Sequence, residues 1–140
     1  MIQFESRTGE LTGNPRDVYD FVTDLRNLRQ FLKGNSLDGF NIEKERCSFR
    51  FPAVGNVDLH LAEKEPFSKV LYSGTALTSN QFSLQLSISD KENGKSGIKV
   101  KLSADLNPFL KMVASEPIKR FLEELVSEME KFRGWNRSNA

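Results

Sequence analysis

Residues 104–125 read ADLNPFLKMVASEPIKRFLEEL, and this stretch decides the fold because it must supply the helix that covers a sheet. Its apolar side chains, placed at about 100° per residue, form two stripes that face nearly opposite directions. The first stripe is Phe109, Met112 and Val113, and the second is Ile118, Phe121, Leu122, Leu125, Met129 and Phe132. One straight helix cannot bury both stripes against the same sheet.

Pro117 lies between the two stripes. A proline pushes the residue before it out of the helical conformation, so a break is predicted just before Pro117. Asn107 is a good N-cap, and Pro108 follows it in the first helical position, where its missing N–H costs nothing. We therefore expect a short helix, a break, and then a long helix that continues to about Arg133 and stops at Gly134.

Residues 38–107 alternate apolar and polar side chains with a period of two, which predicts β-strands with one buried face. Asn93 and Gly94 give a strong hairpin signal between two of these runs. With a further strand over residues 2–11, the chain predicts about seven antiparallel strands. Such a sheet needs a cover on its apolar side, and the C-terminal helix is predicted to provide it.

Two short helices are predicted after the first strand. Asn14 and Pro15 form a helix start, and apolar residues then recur at helical spacing as far as Leu32, before Gly34 ends the pattern. Asp24 is a second capping residue within this segment, so we expect two short helices that meet at an angle. The predicted fold class is α+β.

The composition excludes several classes of protein. The 140 residues predict one domain, residues 1–140, of which 134–140 are expected to form a frayed tail. The net charge of +1, from 20 Lys and Arg against 19 Asp and Glu, does not predict a nucleic-acid partner. No stretch is apolar enough to predict integral membrane association. The single cysteine, Cys47, and the absence of a signal peptide predict a cytoplasmic protein, and monomer and homodimer both remain open.

The order of elements resembles the START-like, or SRPBCC, superfamily, which includes polyketide cyclases and lipid-transfer domains. The resemblance is carried by NPRDVYDFVTDLRNLRQFL at residues 14–32 and by the stretch at 104–125. More narrowly, KVKLSADLNPFLKMVASEPIKRFL at residues 99–122 is similar to small, mostly uncharacterised bacterial members of this superfamily. The resemblance implies a helix-grip fold, in which a curved antiparallel sheet wraps around a long C-terminal helix. It also implies a cavity between sheet and helix for a hydrophobic or amphipathic ligand.

Ten residues are predicted to line that cavity, because they lie on the apolar side of the strands or on the short helix before Pro117. They are Phe49, Phe51, Tyr72, Phe82, Leu84, Val100, Leu102, Phe109, Met112 and Val113. The alternative is that these residues pack a solid core. The short helix Pro108 to Ala114 is either a lid over the cavity or a fixed plug at the end of the sheet.

Few residues point to chemistry beyond binding. His60, the only histidine, alternates with apolar neighbours and is predicted to face solvent, so no metal site and no cofactor are predicted. Cys47 is predicted to be a small buried hydrophobe. Tyr72 lies on the apolar side, where its hydroxyl is either a polar point in the cavity or bonded to a backbone group. No set of residues matches the catalytic Asp, His, Tyr or Arg groups of the superfamily's enzymes, so no catalytic residue is assigned.

Three functions follow from these observations. The first is a binding protein or carrier for a small hydrophobic molecule. The second is a cyclase- or hydrolase-type enzyme acting in the same cavity, for which only Tyr72, with Arg50 or Glu63 at strand ends, offers polar groups. The third is a non-catalytic interaction or scaffold protein.

Overall fold

The structure is a computed structural model that describes residues 2–32, 37–51, 55–76 and 80–135. The described residues form eight strands and three helices. In chain order these are β1 (Ile2–Glu5), β2 (Gly9–Leu11), α1 (Pro15–Val22), α2 (Leu25–Leu32), β3 (Asp38–Ile42), β4 (Arg46–Phe51), β5 (Gly55–Glu65), β6 (Lys69–Ala76), β7 (Asn80–Glu92), β8 (Lys95–Ala104) and α3 (Pro108–Lys131).

All the strands belong to one antiparallel sheet, in the order β1-β8-β7-β6-β5-β4-β3, and β2 also pairs with β8. The predicted N-terminal strand is divided into β1 and β2 at Ser6. There the Ser6 N–H donates to the Val100 carbonyl at 2.8 Å, and the Val100 N–H donates to the Ser6 hydroxyl at 2.9 Å. The predicted α+β class, with a long C-terminal helix on the apolar face of the sheet, is confirmed.

The two short helices are also confirmed. Asn14 caps α1, where its side-chain oxygen accepts a hydrogen bond of 2.8 Å from the Asp17 N–H. Asp24 accepts a bond of 3.0 Å from the Arg26 N–H at the start of α2. The apolar sides of both helices are buried, because helical spacing gives each of them one apolar face for the sheet. The predicted helix stop at Gly34 lies outside the described residues.

The predicted break before Pro117 is wrong, because α3 runs through this residue as one helix. The two apolar stripes do face different directions, but only the second packs against the sheet. Phe109 is 65% exposed and Met112 is 71% exposed, and Val113 is half-buried. Since the first stripe is not buried, the helix does not have to change direction.

Pro117 lacks the N–H that would bond the Val113 carbonyl one turn earlier. We expect Pro117→Ala to raise the free energy of unfolding by about 1–3 kcal/mol, because alanine restores the helical donor. Part of this gain, about 0.4–1 kcal/mol, is lost because removing the proline increases the conformational entropy of the unfolded chain and so stabilises the unfolded state. Urea unfolding measures it. Pro108→Ala is the control, because a proline in the first helical turn interrupts no bond, and a less stable Pro117→Ala variant would contradict the argument.

The predicted frayed tail is wrong at its first two residues. Gly134 and Trp135 are buried, and Trp135 is only 2% exposed. Its ring lies against Phe132, Phe21 and Phe31, with centroid distances of 5.0, 5.2 and 5.6 Å. These contacts fix the chain after α3 to α1 and α2, while residues 136–140 lie outside the described part of the chain.

Candidate functional site

An apolar cavity of about 80 Å³ lies between the sheet, α2 and α3. Six of the ten predicted ligand-binding residues line it, all from the strands: Phe49, Phe51, Tyr72, Phe82, Leu84 and Leu102. Their side chains point inward because each has the apolar parity of its strand. The structure therefore brings the strand residues together as the alternation predicted.

The other four predicted residues do not line this cavity. Val100 is buried in the core, whereas Val113 is half-buried at the outer side of α3. Phe109 and Met112 face solvent. The three helix residues miss the cavity because α3 is continuous, which turns the stripe of Phe109, Met112 and Val113 away from the sheet. In this structure the first turns of α3 therefore do not close the cavity with their large side chains.

The cavity also has lining residues that were not predicted as ligand contacts. Two helices provide them: Leu25, Leu28 and Leu32 from α2, and Ile118, Phe121, Leu125 and Met129 from α3. Helical spacing identified these positions as buried. It cannot separate a side chain that borders a cavity from one that packs solidly, since that depends on how closely the elements approach.

The cavity is small for a ligand site. Ligand pockets usually measure roughly 300–1,000 Å³, and an engineered cavity of about 150 Å³ binds benzene. The aromatic and leucine side chains therefore fill most of the space between sheet and helix. At about 24 cal/mol per Å³, a dry cavity of about 80 Å³ costs roughly 2 kcal/mol, which a stable domain tolerates.

The polar groups inside are Tyr72 and Cys47. The Tyr72 hydroxyl donates a hydrogen bond to the Val22 carbonyl at the end of α1, and burial raises the pKa of this phenol well above its usual value. Burial, and then the charge of Asp58, raise the pKa of the Cys47 thiol to about 11. Neither group carries charge at neutral pH, so the cavity suits an apolar ligand.

The residues considered for an enzyme do not converge. Tyr72 is inside the sheet, with its hydroxyl proton bonded to a backbone carbonyl. Arg50 is exposed on the outer face, where its Nε lies 2.7 Å from an Asp38 carboxylate oxygen. Glu63 is exposed as well. A carbonyl substrate in the apolar cavity would meet none of these charged groups.

Tyr72→Phe is expected to lower the free energy of unfolding by about 1–2 kcal/mol, because it leaves the buried Val22 carbonyl without its donor. Tyr19→Phe is the matched control. Its ring contacts Phe67 at 5.5 Å, so the ring packing is kept. Denaturant unfolding of both variants measures the difference, and equal stabilities would show that the Tyr72 hydrogen bond contributes nothing.

The two raised pKa values also predict how stability changes in alkali. Tyr72 and Cys47 stay protonated in the folded state but ionise in the unfolded chain, near their ordinary values of 10.0 and 9.0. The unfolded state then binds fewer protons, so stability is full below about pH 9 and falls as the pH rises above it. Unfolding curves at increasing pH measure this fall, and Tyr72→Phe is expected to make it shallower.

A second, larger concavity of about 880 Å³ lies on the outer face of the sheet, across β3 to β7. We call it the outer groove. Cys47, Leu59, Gly74 and Phe82 border it, but most of its lining residues are polar and alternate along the chain with the core residues. The polar residues are Asn41, Glu43, Arg46, Ser48, Asp58, His60, Ser73, Thr75, Gln81 and Ser83. The prediction that His60 faces solvent is confirmed, and this groove is the environment it faces.

Gly74 is among the lining residues of the outer groove, and β5 and β6 approach each other closely at this position. A Cβ atom at Gly74 would lie 1.8 Å from the Asp58 carbonyl oxygen. The β5–β6 register also shifts between Leu61 and Glu63, a bulge that bends the sheet. Sequence alternation identified the polar face, but no local pattern indicated that this face is concave.

Two further kinds of site are absent from the described residues. No group of three or more His, Cys, Asp or Glu side chains there is placed to hold a metal ion. Within the same part of the chain, no helix is long and apolar enough to cross a membrane.

Comparison with solved structures places the fold among small bacterial proteins. A protein from Mesorhizobium loti, MLL2253, is 12% identical and superposes with a TM-score of 0.60, over 94% of this chain and 98% of its own. Thermus thermophilus TTHA0849 is 16% identical, with a TM-score of 0.61 over 93% and 95% of the two chains. At these identities the similarity shows the fold alone, which is of the helix-grip type.

A more distant neighbour is PFC0360w from Plasmodium falciparum, described as an HSP90 activator. It is 14% identical, with a TM-score of 0.54 over 74% of this chain and 73% of its own. No protein-family model and no curated protein matches the chain.

Proposed function

We propose that this protein is a cytoplasmic START-like domain that binds the apolar part of a small hydrophobic or amphipathic molecule between the sheet and α3. One observation supports this most directly: the cavity there is lined by apolar side chains from five strands and two helices. The hydroxyl group of Tyr72, which lies inside the cavity, already donates its hydrogen bond to the Val22 backbone carbonyl. Recognition in such a site rests on apolar contact and shape rather than on charge.

The size of the cavity limits the ligand. A space of about 80 Å³ is smaller than the roughly 150 Å³ that holds benzene, so a ring or a short alkyl chain enters only if the cavity widens. Phe51, Phe82 and Leu106 line the cavity and are only half-buried. Rotation of these side chains is the proposed route of entry. Gln81, the exposed lining residue beside them, is placed to meet the polar end of an amphipathic ligand.

Cys47 offers a direct test, because it lines the cavity, is buried and is the only cysteine. We expect short-chain fatty acids and single-ring aromatic compounds to raise the melting temperature and to slow alkylation of Cys47 by iodoacetamide. The fill variant Ala104→Leu, at a cavity-lining position, is expected to abolish both effects. Phe67→Ala, at an exposed site, is the control. Equal responses in the wild type and Ala104→Leu would contradict the proposal.

A second candidate function is protein interaction through α3. Phe109 and Met112 are large apolar side chains one turn apart and are mostly exposed, and exposed apolar patches often mark interfaces. The HSP90 activator among the structural neighbours is consistent with such a role. Sizing chromatography over a range of concentrations tests self-association. Concentration-dependent dimerisation that Phe109→Ala removes would favour this candidate, whereas a monomer at every concentration would count against a homodimer.

A further inference from the structure

The charged and hydroxyl side chains of the outer groove point to the face of the sheet opposite the apolar cavity, and the two sites share lining residues, among them Gln81. Its volume of about 880 Å³ falls in the range of ligand pockets, roughly 300–1,000 Å³. The polar side of a one-faced sheet is normally open to water and needs no concavity. The groove is therefore large enough to hold a small polar ligand.

The register of the strands orders the polar groups into two rows. In the first row Arg46 lies opposite His60, His60 opposite Ser73, and Ser73 opposite Ser83. This row offers hydrogen-bond donors, because guanidinium, imidazole and hydroxyl groups all carry N–H or O–H.

The second row offers acceptors as well. Ser48 lies opposite Asp58, Asp58 opposite Thr75, and Thr75 opposite Gln81. Asp58 is diagonal to Arg46 across β4 and β5, a relation in which Cα atoms lie about 7–8 Å apart. A cation and a carboxylate are thus close enough for one small molecule to contact both.

The charges of the outer groove lack ion-pair partners of the kind seen at other places on the outer face. Arg50 and Asp38 are paired at 2.7 Å, and Lys99 and Glu5 at 2.9 Å. Within the described residues, the groove's Arg46, Glu43 and Asp58 take part in no ion pair within 4.0 Å. A concave site holding unpaired charges of both signs is complementary to a molecule that carries both signs.

We infer that the outer groove binds a small zwitterion of the α-amino-acid type. Its carboxylate contacts Arg46, for which a planar guanidinium is the preferred partner. Its ammonium group contacts Asp58 and Glu43. The hydroxyl groups of Ser48, Ser73 and Ser83 also line the groove, where they can hydrogen-bond a polar side chain of the ligand.

His60 provides the assay, because a single histidine gives a single set of imidazole proton signals. L-serine and L-alanine are titrated into the full-length protein and the His60 signals are followed by NMR. We expect saturable shifts with both amino acids. Acetate and methylammonium, which each supply one charge, are expected to bind at least about tenfold more weakly, and glycerol not to bind, since each loses one or both ionic contacts.

Substitutions in the outer groove test which side chains contact the amino acid. Arg46→Gln and Asp58→Asn both change exposed side chains and leave the core untouched, so both are expected to fold. Each should weaken binding at least about tenfold. Lys101→Gln, on the same sheet face but outside the groove, is the matched control and should bind like the wild type. Ala104→Leu should also bind normally, which separates this site from the apolar cavity.

The inference is overturned by any of three results. The first is that neither amino acid shifts the His60 signals. The second is that acetate binds as tightly as the amino acids, which would make the groove a simple anion site. The third is that Arg46→Gln and Asp58→Asn bind as the wild type does.

Discussion

Trp135→Ala is expected to lower the free energy of unfolding by about 3–5 kcal/mol, the range for removing a buried aromatic side chain. Trp135 is 2% exposed and contacts the rings of Phe21, Phe31 and Phe132. It therefore joins the end of α3 to both N-terminal helices. Gly13 leaves room for it, because a Cβ there would lie 2.6 Å from Trp135 Cβ. Without the indole, three aromatic neighbours lose a common partner.

Trp135→Phe is the matched control for this experiment. The Trp135 Nε1 group is buried and, among the described residues, has no hydrogen-bond partner, which is itself unfavourable by about 1–3 kcal/mol. Phenylalanine keeps an aromatic ring and removes that donor, so we expect the loss to be about 1 kcal/mol or less. Urea unfolding followed by circular dichroism measures both variants. A Trp135→Ala protein as stable as the wild type would show that the chain after α3 is not part of the core.

Gly74→Ala is expected to lower the free energy of unfolding by about 3 kcal/mol, which is at the upper end of the range for overpacking a core. The added methyl group would lie 1.8 Å from the Asp58 carbonyl oxygen, so β5 and β6 must separate. Gly74 pairs with Leu59 on one side and with Phe82 on the other. The substitution therefore disturbs the centre of the sheet, beneath the outer groove.

Gly97→Ala is the control for this experiment. It tests whether the effect at Gly74 comes from overlap with backbone atoms or simply from replacing a glycine. Its added methyl group would meet the Ser89 hydroxyl at 2.5 Å and a Lys91 side-chain carbon at 2.8 Å. These are ends of side chains that can rotate away, so we expect a loss of about 1 kcal/mol or less. Thermal and urea unfolding of the two variants test the comparison. If Gly97→Ala costs as much as Gly74→Ala, the close approach of β5 to β6 is not the cause.

The cavity shows where prediction from sequence succeeded and where it stopped. Phe49, Leu84 and Leu102 were predicted as lining from strand parity alone, because alternate side chains of a strand point to one face. Phe109 and Met112 were assigned to the same site on the assumption that every apolar stripe must be buried. The structure leaves them exposed, since the continuous helix turns this stripe away from the sheet.

The sequence by itself determined the elements, because capping residues, proline positions and periods of 2 and 3.6 are local physical constraints. Asn14, Asn107 and the alternation along β8 are examples, and each acts over a few residues. Tertiary structure alone decided the continuity of α3 through Pro117, the burial of Trp135, the small volume of the cavity and the concavity of the outer face. These features depend on distances between segments remote in sequence, as between Gly74 and Asp58, and such distances are set by packing of the whole domain.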